Sequence, residues 1–191
     1  MNKARLEAFS DGVVAIIITI MVLALKAPAS PGWDEIAALG PLLCSYLLSF
    51  VYVGIYWVNH HHLFQPVRRV DGLILWANLH LLFWLSLIPF VTAWAGAHPL
   101  MPVPAALYGA VLLMCSIAFL LLVRALLGRE GSNSVLARVL DKRRKNQLSI
   151  VLYALAIPLS LWQARAGALV YVVVALLWCV PDRRIEQLRR D

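Results

Sequence analysis

Six stretches of this chain are apolar for nearly as long as a helix needs to cross a bilayer, and that constrains the fold more than any other feature. A hydrocarbon core of ~30 Å takes roughly 20 helical residues to span. The runs fall at about 7–26, 34–60, 72–95, 103–127, 146–162 and 166–181. With no water at that depth, backbone N–H and C=O groups must pair within each segment, so helix is the expected state. A transmembrane barrel would show alternating ten-residue segments, and none is present. Hydrophobic residues make up 62% of the 191 and charged residues 14%, too few polar side chains to cover a water-soluble domain. The expectation is an all-α, multi-pass membrane protein, one six-span domain over residues 1–191. The first run lacks a signal-peptidase-like exit, so it reads as a span.

The net charge of +7 takes its meaning from where the charges sit. An N-terminus on the cytoplasmic side puts Lys3, Arg5, Arg68, Arg69, the basic residues of 124–145 and those after Pro181 inside. Only Lys26 and Arg165 of the seventeen then lie outside. Both termini are therefore expected in the cytoplasm. The run DKRRKNQ (141–147) reads as a topology determinant lying against anionic headgroups, with the lipid bilayer as its partner. No aromatic residues interleave with it, which argues against nucleic acid. Cys44, Cys115 and Cys179 are scattered through apolar runs without disulfide or zinc spacing.

No phosphate loop, nucleophile elbow or H-E-x-x-H motif occurs, and no enzyme is expected. Two polar features stand out instead. The first span opens with RLEAFSDG, placing Arg5, Ser10 and Asp11 before a stretch, Gly12 to Leu25, whose only polar side chain is Thr19. Ser10 or Asp11 as a helix N-cap is one reading. A buried inter-helix network is the other. Arg5 and Asp11, six residues apart, are poorly placed to pair with each other. Trp57, Asn59, His60, His61 and Asn78 would supply partners on the same side of the membrane.

The second feature is the triplet His60, His61 and His62. Adjacent helical residues point about 100° apart, so one regular helix cannot aim all three at one ion. Haem ligation would need facing histidines, and His80 is the one other candidate at depth. Water-satisfied helix-end histidines and a structural tie to the first helix also remain open. No cofactor is expected.

These motifs resemble the transmembrane protein 175 family of potassium channels. RLEAFSD fits its R-x-x-x-F-S-D signature (Arg5, Phe9, Ser10, Asp11), and WVNHHHLF from Trp57 is similar to its tryptophan and paired-histidine motif. NLHLLF from Asn78 and IPFVT from Ile88 look like its third span. The resemblance is densest over residues 5–92, and six spans match the prokaryotic branch. It implies a homotetramer in a prokaryotic plasma membrane, its pore lined by the first helix, passing potassium and other monovalent cations. Carried over by distance from Asp11, the narrow positions would be Ile16, Thr19 and Leu23, on one stripe by their spacing of three and four. Hydropathy alone does not select that face, because Val14, Ile17, Met21 and Leu25 opposite are equally apolar.

On that resemblance, an Ile16 ring pinches the pore until water leaves it, and a Thr19 ring offers hydroxyl oxygens to a partly dehydrated ion. With no TVGYG-like filter, selectivity over sodium should be weak. His60 and His61 leave pH-dependent opening open. The alternative is a secondary transporter or proton-coupled exchanger using Asp11 and the histidines as a relay. It would show matching broken halves. Pro89 and Pro158 are candidate breaks, but no duplication is visible.

Overall fold

The computed structural model describes residues 2–28, 30–67, 69–130 and 143–179. The tail after Pro181, the end of the sixth expected span, Arg68 and the start of the basic 141–147 run lie outside the described residues. Every regular element among those described is α-helical: α1 (Lys3–Leu23), α2 (Trp33–Ala38), α3 (Gly40–Phe64), α4 (Gly72–Ser86), α5 (Ile88–Ala97), α6 (Pro102–Glu130), α7 (Arg143–Trp162) and α8 (Ala164–Cys179).

Among the described residues four helical segments are long and apolar enough to cross a membrane: Lys3–Leu23, Gly40–Phe64, Gly72–Ala97 and Pro102–Arg129. The chain is thus a multi-pass helical protein. α7 begins on Arg143, Arg144 and Lys145, and α8 has only 16 residues.

Several expected boundaries move, each for a local reason. The first helix starts at Lys3, not residue 7, because Asn2 caps it, its side chain accepting from the Ala4 N–H. Ser10 and Asp11 therefore lie two turns inside the helix, and their reading as caps is overturned. Pro28 follows closely on its end. α1 is rich in β-branched residues that disfavour helix in water. In lipid the unpaired backbone is the greater cost.

The second expected span divides into α2 and α3 at Leu39. α3 then runs past the histidines to Phe64, so the triplet is inside the helix and not beyond its end. The third breaks at Leu87, just before Pro89, which lacks the N–H a continuous helix would need. The break lets α5 set Thr92 inward, with its hydroxyl 2.6 Å from both Ser49 Oγ on α3 and the Ile88 carbonyl.

α6 is the hub, packing against α4, α5, α7 and α8, while α1 packs on α3, α4 and α5. Leu112, Cys115, Leu122 and Leu126 of α6 are almost entirely buried. Small residues permit the closest approaches. A Cβ on Gly109 would stand 2.0 Å from the Tyr171 hydroxyl, and one on Gly167 would stand 1.9 Å from Ser160 Oγ.

Candidate functional site

The first helix has two unlike faces. Leu6, Ser10, Val14, Ile17 and Met21 recur at helical spacing and are buried against α3, α4 and α5. The other face is bare: Ile16 is 58% exposed beside Ile17 at 2%, and Leu23 is 76% exposed. Phe9, Thr19 and Ile20 are exposed as well. Sequence left these faces indistinguishable; packing within the subunit separates them. The bare face is continuous and apolar, and such a surface on a membrane helix is met by lipid or by another copy. Thr19 Oγ1 donates to the Ile16 carbonyl at 2.8 Å. Its proton is therefore held by the backbone, and its lone pairs remain available on the exposed side.

Two separate polar ties fix this helix. In the buried one, Asn78 of α4 stands between α1 and α3. Its Nδ2 donates to Ser10 Oγ at 2.9 Å, and Ser10 Oγ donates to the Leu6 carbonyl at 2.9 Å. Asn78 Oδ1 lies 2.8 Å from His60 Nε2, which must donate because that oxygen can only accept. Ser10, His60 and Asn78 are all less than a tenth exposed. Burial without partners would cost each about 1–3 kcal/mol. Among the described residues no buried side-chain nitrogen or oxygen lacks a partner.

The second tie is exposed. Trp57 Nε1 donates to Asp11 Oδ1 at 2.9 Å. The Trp57 ring stacks on His61 with centroids 6.3 Å apart and planes 25° apart. Gln65 Nε2 lies 3.2 Å from His61 Nε2. Lys3 Nζ reaches the Gln65 carbonyl at 3.1 Å, so the start of α1 caps the end of α3. The rings of the neighbouring His60 and His61 thus serve different contacts.

Arg5 is exposed and outside both ties, and Phe9 lies on the bare face. His80 accepts from Trp84 Nε1 on its own helix at 2.9 Å. Among the described residues no three of His, Cys, Asp and Glu gather at metal-binding distance.

Sequence reading missed a second interior network. Ser49 and Tyr108 share a hydrogen bond of 2.9 Å, the Tyr52 hydroxyl donates to the Tyr171 carbonyl, and Tyr171 Oη lies 3.0 Å from Ser160 Oγ and 3.1 Å from the Ala105 carbonyl. Ser116 Oγ meets Asn146 Oδ1 at 2.7 Å. The signal was hydroxyls inside apolar runs. Each is dispensable to a single span but required to join spans.

Against known proteins, a profile of the family described as endosomal/lysosomal potassium channel TMEM175 matches residues 5–89. A potassium channel of a Chryseobacterium species is 50% identical over 191 residues, with both chains covered in full. A potassium channel of Streptomyces collinus is 38% identical over 128 residues, 62% of each chain. The crystal structure of a lysosomal potassium-selective channel TMEM175 homolog from Chamaesiphon minutus superposes with a TM-score of 0.81 at 30% identity, covering 93% of this chain and 96% of that one.

Proposed function

The chain belongs to the TMEM175 family, and from that premise we propose that it is a potassium channel in which four identical subunits set α1 around a common axis. Relatives named as channels favour this reading over an exchanger. The observation that carries it is the division of α1. One stripe is spent on its own subunit, while Ile16, Thr19 and Leu23 stand free on the other side.

On the axis, branched Ile16 side chains would meet as a ring. A narrow aliphatic ring excludes water, and an ion cannot leave its hydration shell without replacement, so the ring closes the path. One turn away, the Thr19 oxygens would present lone pairs to a partly dehydrated cation. Hydroxyls replace only part of a water shell, and selectivity for potassium over sodium would be weak. The Ser10–Asn78–His60 and Asp11–Trp57 ties would hold α1 at a fixed rotation, so tilt of α1 with its neighbours would be the opening motion. Six spans, cytoplasmic termini and a prokaryotic plasma membrane complete the proposal, supported by the distribution of Lys and Arg.

Potassium flux from proteoliposomes tests it. Ile16→Asn keeps polar atoms at the constriction and should raise basal flux at least tenfold. Flux equal to the unmodified protein would contradict the gate.

A further inference from the structure

At the end of the bundle remote from Asp11, a cavity of about 380 Å³ opens between α3, the α5–α6 turn and α8. One wall is Pro41, Cys44 and Leu48, and the facing wall is Ala164, Ala168 and Val172. The eight residues 41–48 of α3 and the nine residues 164–172 of α8 make each wall about 10–12 Å long at the helical rise. That is most of the ~15 Å depth of one leaflet's hydrocarbon.

Its level in the membrane is marked independently. Trp162, 83% exposed, sits two residues before Ala164, and Trp33, 86% exposed, opens α2 at the same end. Exposed tryptophans at span ends mark the headgroup level. The groove therefore starts at the interface and descends into the hydrocarbon.

The lining is almost wholly apolar, and two of its three hydroxyls are already engaged. Tyr108 pairs with Ser49, and Tyr171 with Ser160 and the Ala105 carbonyl. Ser45 on the α3 wall is the third, so an occupant meets apolar groups almost everywhere at depth. At the mouth the chemistry changes: His98 lines the rim, and exposed Arg165 follows Ala164 directly. Leu100, on the same rim, is held at φ 58°, a left-handed conformation that costs a non-glycine residue about 1–3 kcal/mol. The turn is held over the groove at a local cost in backbone energy.

We propose that this groove binds one acyl chain of a phospholipid, its phosphate at the level of Trp162 and facing Arg165. An apolar tail below and a cation above match an amphiphile of one leaflet's depth. A neighbouring copy seated in the groove is the competing occupant.

The test uses the purified full-length protein in detergent with added dioleoylphosphatidylglycerol. Native mass spectrometry should retain one lipid per subunit in the unmodified protein and in Leu155→Phe, a change on an exposed part of α7. Ala168→Phe and Val172→Phe, which fill the groove, should lose it while eluting at the same volume. In Cys179→Ser, where Cys44 is the remaining exposed cysteine among the described residues, lipid should slow Cys44 labelling by an uncharged maleimide at least fivefold. Equal lipid retention in all four proteins would overturn the proposal. So would lipid-independent labelling, or protection of Cys44 before lipid is added, which would assign the groove to a neighbouring copy.

Discussion

Trp57 donates its indole N–H to the carboxylate of Asp11 at 2.9 Å across 46 residues of sequence, and both side chains are exposed in the isolated subunit. A charged acceptor on α1 is thereby fixed to α3 at the edge of the face left bare. The bond holds the helix from outside the core, where subunits would meet.

Breaking that bond should act on assembly. Charge-assisted hydrogen bonds are roughly twice as strong as neutral ones. Asp11→Asn keeps a weaker acceptor and should lower the tetramer fraction on size exclusion; Asp11→Leu should lower it further, with helical content unchanged. A full tetramer yield from Asp11→Leu would show that the tie is dispensable.

The buried tie predicts a loss of stability instead. Asn78→Leu leaves the His60 Nε2–H without its acceptor and removes the amide donor to Ser10. An unmet buried group costs about 1–3 kcal/mol. For a chain of this size the melting temperature should fall by roughly 5 °C. A melting temperature within one degree of the unmodified protein would mean that water or a neighbour replaces the amide.

Selectivity should depend on Thr19. Thr19→Ala removes the oxygens facing the proposed axis and should shift the reversal potential under a potassium–sodium gradient. Thr19→Ser, which can keep the bond to the Ile16 carbonyl, should shift it less. An identical reversal potential in Thr19→Ala would exclude this ring from ion discrimination.

What could be read from sequence followed from what each signal measures. Apolar run length reports burial in lipid, so the four segments long enough to cross it among the described residues were evident, beginning with 7–26. Run length does not report caps: Asn2 moved the start of α1, and Leu39 split the second run. Pro89 marked a break in the third span, but only structure showed that the break turns Thr92 toward Ser49. The polar group around Ser10 and Asp11 was visible as a set. Its division into Ser10–Asn78–His60 and Asp11–Trp57 was not, because spacing along a chain does not say which helix stands between which. Ile16 and Ile17 have the same side chain and opposite burial. No hydropathy scale separates them; only the position of α3, α4 and α5 does. Tyr171 shows the same limit, since its fit over Gly109 joins residues 62 positions apart.

The central claim is that the bare stripe of α1 faces the shared axis. Cryo-electron microscopy of the purified assembly in lipid nanodiscs tests it most directly. The account predicts fourfold symmetry with Ile16, Thr19 and Leu23 from every subunit nearest the axis. A particle with α1 at its periphery and Ile16 against lipid would contradict it.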